Sequence, residues 1–168
     1  VDIEGYFDTI PHEPLLALVE RRVSDPKLLR LIRRWLQAGV LEDGELVPTE
    51  RGAPQGGVLS PLLSNIYLHE IDRRWQARAP RARLVRYADD LIILCPTEAD
   101  AQREAELLRG ELGSKGLKLN EQKTRVVAVR EGFDFLGFSY RLGRYGRGGK
   151  QREVMVKVPR ARAITGIQ

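Results

Sequence analysis

The sequence predicts an α+β fold, an antiparallel sheet with helices packed on one face. Three observations point there. Segments with apolar residues at helical spacing alternate with short β-branched runs, and tight-turn signals join some of those runs into hairpins. The 42% hydrophobic and 30% charged residues are values of a globular chain with a real core, which excludes a disordered tail or a collagen-like repeat. At 168 residues the chain has the length of one ordinary domain.

Val1-Asp2-Ile3 reads as a strand. No cap, turn or leader comes first, so the sequence is expected to be a piece of a longer protein. His12 to Val23 reads as a helix entered through Pro11, with Leu15, Leu16, Val19 and Val23 on its apolar face. A second helix starts at Asp25-Pro26, where Asp accepts free N–H groups and Pro fits the first turn; Leu28, Leu29, Ile32, Trp35 and Leu36 form its expected buried stripe. Val40-Leu41-Glu42 and Glu45-Leu46-Val47 flank Asp43-Gly44, a type I′ turn dipeptide, and predict a short hairpin.

The stretch Gly52 to Gly57 is a loop, and Ser60-Pro61 opens a helix to about Trp75 with Leu62, Leu63, Ile66, Tyr67 and Ile71 inward. Leu84 to Tyr87, Ala88-Asp89-Asp90 and Leu91 to Leu94 read as strand, tight turn, strand. Glu98 to about Leu112 is amphipathic through Ala101, Ala105, Leu108 and Leu112. Arg125 to Val129 and Phe133 to Tyr140 are two further strand candidates, and the Gly/Arg stretch 143–152 reads as a loop or linker.

The formal net charge of +5 is unevenly spread. Residues 141–168 hold eight Lys+Arg against the single Glu153, whereas the first 140 residues hold 20 basic and 22 acidic side chains. Such a basic run is either a solvated segment or a surface for phosphate backbones. No apolar run exceeds the length of Leu91 to Cys95, far short of the roughly 20 residues of a membrane span, so no membrane partner is expected. The lone Cys95 excludes an internal disulfide or a multi-cysteine zinc site and suits a reducing cytosol; His12, His69 and Cys95 are assigned to structure.

Asp89-Asp90 carries the first chemical signal. Acidic pairs often serve turns because Asp bonds its own backbone there. Between strongly apolar strands, however, two adjacent carboxylates repel and desolvate each other unless a cation resolves the conflict. Asp2, otherwise a strand-end cap, would bring a third carboxylate if its strand lies beside this hairpin. That is the layout for paired divalent ions in phosphoryl transfer.

Five segments in order carry a resemblance: Asp2-Ile3-Glu4-Gly5-Tyr6-Phe7-Asp8; Gly52 to Leu68, which includes Gly52-Ala53-Pro54-Gln55-Gly56-Gly57; Tyr87-Ala88-Asp89-Asp90; Gly116 to Asn120 with Lys123-Thr124; and Phe133 to Phe138. Together they resemble the palm of a reverse transcriptase, more narrowly the group II intron-encoded maturase type, part of a right-hand polymerase. The resemblance implies a palm over residues 1–140 and, in 141–168, a basic loop and lead-in to a thumb, with fingers and complete thumb absent.

It also implies roles. Asp2, Asp89 and Asp90 would be catalytic and, with the Ile3 carbonyl, would hold two Mg²⁺ ions, with Mn²⁺ as a substitute. Phe7, Gln55 and Lys123 would meet the incoming deoxynucleotide, Phe7 as a bulky ring that clashes with a 2′-hydroxyl. Gly56, Tyr87, Phe135, Leu136 and Gly137 would contact primer or template. The implied partners are an RNA template, a DNA primer, deoxynucleoside triphosphates and intron RNA, in a bacterial cytoplasmic ribonucleoprotein. Glu4, Tyr6 and Pro11 depart from residues common at these positions, and none removes a proposed ligand. Without fingers to grip the triphosphate, this segment alone is expected to polymerise poorly. A catalytically silent RNA-binding scaffold and a two-metal nuclease remain the competing readings.

Overall fold

The computed structural model describes residues 1–38, 40–42, 45–47, 51–53, 57–78, 81–145 and 152–160. Its elements are α1 (Tyr6–Thr9), α2 (His12–Glu20), α3 (Pro26–Leu36), β1 (Val40–Glu42), β2 (Glu45–Val47), α4 (Ser60–Arg78), β3 (Arg83–Tyr87), β4 (Asp90–Leu94), α5 (Glu98–Ser114), β5 (Phe133–Phe135), β6 (Phe138–Tyr145) and β7 (Arg152–Pro159). The chain is α+β, as the periodicities predict.

Local signals fix the helix starts. Asp25 accepts from the Lys27 amide at 2.7 Å ahead of α3, with Pro26 in its first turn, and Thr97 accepts from the Asp100 amide to cap α5. The apolar faces of α2 and α4 pack together, α4 covers β3 and α5 touches β4. Between them lies a core that includes Tyr6, Ile10, Leu15, Leu16, Tyr67, Leu68, Ile71, Leu108 and Leu112. Burying each large side chain there stabilises the fold by about 1.5–3 kcal/mol. The buried stripe of α3 is narrower than expected: Ile32 and Leu36 are buried, but Leu28 is exposed, as is Leu62 on α4.

Glu104 of α5 is also buried, and Arg78 at the end of α4 holds it through both Nε and NH2. A carboxylate in that position needs such a partner, because an unpaired buried charge is strongly destabilising.

In place of one sheet, the described residues form three small antiparallel ones: β1-β2, β3-β4 and β5-β6-β7. The first has the two-residue connection that Asp43-Gly44 predicts, although that dipeptide lies outside the described residues. Val1 to Ile3 is not a full strand. Its backbone pairs once with β4 and once with the segment after α5, which widens the β3-β4 sheet without a continuous ladder.

Three further expectations change. Arg125 to Val129 is exposed, and among the described residues its valines find no neighbouring strand and join no ladder. Phe133 to Tyr140 is two strands rather than one: Phe135 pairs with Phe138, and Leu136 and Gly137 turn between them with φ of 49° and 78°. Positive φ at both central residues is the requirement of a type I′ turn. The stretch 143–152 is no linker at its described ends, since Gly143 pairs with Val154 and Tyr145 with Arg152 in the β6-β7 ladder. Gly143 is needed there, because a Cβ would lie 2.7 Å from a methyl of Val156. Among the described residues no helix is long and apolar enough to cross a membrane.

Candidate active site

Backbone pairing on both sides places Asp2. Val1 and Leu91 exchange hydrogen bonds of 3.0 Å in each direction. On the opposite side Asn120 N donates to the Asp2 carbonyl and Glu4 N to the Lys118 carbonyl, both at 2.9 Å, around an Ile3–Leu119 bridge. Ile3, Leu91 and Leu119 are buried, so the pairing is fixed by apolar neighbours while alternation turns the Asp2 side chain the other way. The Ile3 carbonyl is not spent on the Leu119 pairing, which uses the groups of Asp2 and Glu4.

The acidic turn lies next to it. Tyr87 pairs with Asp90, so Ala88-Asp89 is a two-residue hairpin loop, and Ala88 sits at φ 52°. That left-handed conformation is uphill for a residue with a Cβ. Burial pushes the Asp90 carboxyl above its usual range, and the neighbouring charges of Asp89 and then Asp2 push it further the same way. Asp90 therefore feels the charge of both Asp89 and Asp2.

Among the described residues, no group of three or more His, Cys, Asp or Glu side chains is gathered tightly enough to hold a metal. Asp2 instead meets two nitrogens, with Asn120 Nδ2 and Lys123 Nζ each 3.2 Å from its Oδ2. The donor set itself, carboxylates with a nearby carbonyl, is hard oxygen of the kind Mg²⁺ and Mn²⁺ select.

The other expected site residues divide into three groups. Phe7, half-buried, stands 5.4 Å from the Tyr6 ring, and Tyr6 is pinned by a 2.6 Å hydrogen bond to the Ser64 carbonyl. Residues 51–53 lace across this short helix: Gly52 N donates to the Ile10 carbonyl, Ala53 N to the Phe7 carbonyl, and the buried His12 ring through Nε2 to the Gly52 carbonyl at 2.7 Å. Gly52 has φ 93°, and a Cβ there would lie 3.1 Å from the Asp8 carbonyl, so only glycine lets the loop approach Phe7 this closely. The loop thus departs from beside Phe7; Gln55 and Gly56 themselves lie outside the described residues. Tyr87 is exposed next to the acidic turn. Phe135, Leu136 and Gly137 form the β5-β6 turn, in a sheet that shares no strand pairing with β4 among the described residues.

Sequence reasoning quoted Asn120 in a motif and Arg86 in a strand but assigned neither a role, and it did not single out Asp72. The Arg86 guanidinium makes a fork to both Asp72 oxygens and also reaches Asn65 and the Ala88 carbonyl. The available signal was an arginine on the inward-facing register of an apolar strand, which needs a buried partner.

An α+β domain whose acidic hairpin turn lies beside a third carboxylate is of the polymerase palm type. The chain belongs to the reverse transcriptase (RNA-dependent DNA polymerase) family, whose model matches residues 1–140. It is 33% identical over 198 residues to Protein YkfC of Escherichia coli K12, an alignment covering 96% of this chain and 51% of that protein. A shorter alignment, 50% identical over 72 residues, covers 43% of the chain and 12% of the group II intron-encoded protein LtrA of Lactococcus lactis. An uncharacterized 91 kDa protein in the cob intron of Schizosaccharomyces pombe is 44% identical over 71 residues, 42% of this chain and 9% of its own length. The chain spans about half the length of the first of these relatives and far less of the other two.

Proposed function

We propose that this chain is the catalytic palm of an RNA-directed DNA polymerase of the intron-encoded kind, joining deoxynucleotides to a DNA primer on an RNA template. The observation that supports this reading most directly is the placement of Asp2 beside the Asp89-Asp90 turn by the Val1–Leu91 pairing. Family membership adds the reaction class.

In this reading Asp2, Asp89 and Asp90 hold two Mg²⁺ ions, or Mn²⁺ in their place, with the Ile3 carbonyl close by. When bound, such ions offset charge on the phosphoryl oxygens and favour ionisation of the attacking 3′-hydroxyl. The protein's own groups do the rest. Phe7 forms a wall beneath the incoming sugar and excludes a 2′-hydroxyl. Gln55 and Gly56 lie on the loop anchored beside Phe7 and bring backbone and amide to nucleotide and template. Lys123, two-thirds exposed and 3.2 Å from Asp2, exchanges that carboxylate for the triphosphate as a point charge. Tyr87 and the Phe135-Leu136-Gly137 turn support the primer terminus.

The basic residues after position 140 offer a surface for phosphate backbones, and the chain spans about half the length of Protein YkfC, so efficient turnover is assigned to a protein of that relative's length. That protein works in a cytoplasmic bacterial ribonucleoprotein with intron RNA. The test is primer extension by the full-length protein on an RNA template. The double variant Asp89→Asn with Asp90→Asn is expected to abolish extension while keeping its melting transition and its RNA binding. Retained extension in that variant overturns the assignment.

A further inference from the structure

The acidic turn does not hold its shape unaided. Ala88 and Leu136 are the two non-glycine residues with positive φ among the described residues, and Ala88 directly precedes Asp89. Arg86 reaches into this turn from β3. Its side chain is 10% exposed, which is low for an arginine and leaves its donors little water to turn to. Nε and NH2 of Arg86 donate to the two carboxylate oxygens of Asp72, while NH1 donates to Asn65 Oδ1 at 2.8 Å and to the Ala88 carbonyl at 2.9 Å.

Asn65 and Asp72 are seven residues apart on α4, hence on one face of a rigid helix that packs on β3. The carbonyl that carries the uphill backbone of the turn is therefore tied, through one planar guanidinium, to the helix beneath it. An ion pair serving the core alone would need only Asp72. The bonds to Asn65 and to the Ala88 carbonyl extend the network to the backbone that aims Asp89.

Resting on the polymerase reading, we propose that Arg86 is a positioning residue: with Asp72 and Asn65 it fixes the Tyr87–Asp90 turn so that Asp89 and Asp90 are presented together to divalent cations. Lysine cannot take its place. A single ammonium lacks the planar fork that serves Asp72, Asn65 and Ala88 at once.

The experiment uses full-length protein and two readouts: Mn²⁺ binding followed by electron paramagnetic resonance without nucleotides, and steady-state primer extension. Arg86→Lys is expected to weaken Mn²⁺ binding about tenfold and to lower kcat about tenfold or more, with the KM for deoxynucleotide within about twofold and an unchanged circular dichroism spectrum. A folded Arg86→Lys that binds Mn²⁺ within about twofold of wild type overturns the proposal. Should Arg86→Lys not fold, Asn65→Ala leaves the Asp72 pair intact and is expected to weaken Mn²⁺ binding about threefold; unchanged binding there also overturns it. Weakened Mn²⁺ binding in a protein whose wild type extends no primer supports the positioning role and overturns the polymerase reading. Equal Mn²⁺ binding in both proteins, with both extending primers, overturns the positioning role and leaves the polymerase reading standing.

Discussion

Asn120 grips Asp2 at two points: its backbone amide donates to the Asp2 carbonyl at 2.9 Å and its side-chain Nδ2 to Asp2 Oδ2 at 3.2 Å. The same side chain accepts from the amides of Gln122 and Lys123 through Oδ1, so one residue sets both Asp2 and the turn that carries Lys123.

On the proposed reading of Asp2 as a metal ligand, Asn120→Ala is expected to lower the single-turnover extension rate about tenfold, the effect of losing an outer hydrogen bond to a ligand. The loss of stability should stay within about 1–3 kcal/mol, since alanine removes three side-chain hydrogen bonds, each worth about 1 kcal/mol net or less where exposed. Rapid-quench extension and urea unfolding of the same samples separate the two effects. A rate loss matched by wholesale unfolding would contradict a local role.

Phe7 is half-buried against Tyr6, and Tyr6 is held by Ser64, so the ring has a fixed backing. Shortening it in Phe7→Val opens room for a 2′-hydroxyl. The ratio of kcat/KM for deoxynucleotide over ribonucleotide is expected to fall by about tenfold or more, within the range one steric contact supplies. Competition between the two nucleotides on one primer–template measures it.

Glu70 gives a pH signature far from the carboxylate cluster. Its carboxyl is held below its usual range first by the Lys115 ammonium at 2.7 Å, with Arg21 at 2.8 Å assisting and burial acting the other way. A depressed carboxyl contributes stability that is present above its unfolded value of 4.5 and lost as pH falls through the lower folded value. Glu70→Gln is therefore expected to be less stable than wild type at neutral pH, by under about 1 kcal/mol because the pair is partly solvated. In thermal melts the difference should shrink as pH falls below 4.5 and vanish once the carboxyl is protonated in the folded state as well.

The parts of this fold that were legible in the sequence are those written in local chemistry. Asp25-Pro26 announces α3 because capping involves neighbours only two residues apart, and Asp43-Gly44 announces its hairpin for the same reason. Local pattern hid the β5-β6 turn, since leucine is not a usual turn residue and Phe133 and Phe135 alternate as in a strand; the family resemblance alone marked Phe135-Leu136-Gly137 as a turn. The valines at 126, 127 and 129 carry strand propensity that no partner strand redeems. The acidic residues of the candidate site were legible as types in an order of motifs, whereas the side-chain bonds around them, Asn120 to Asp2 and Arg86 to Asn65, span 118 and 21 residues of sequence and leave no periodic trace.

The Val1–Leu91 pairing also bears on how the molecule acquires its site. The two residues are 90 positions apart, and Asp2 and Asn120 are 118 apart, so these bonds close some of the longest loops in the chain. Closing a loop of that length opposes folding by about 4 kcal/mol of chain entropy, a penalty that falls once α2, α4 and α5 have condensed and shortened the effective loop. The pairings that bring Asp2 to the turn are therefore expected to form after the helical core. During synthesis the hold of Asn120 on Asp2 cannot form until the segment around Asn120 has left the ribosome.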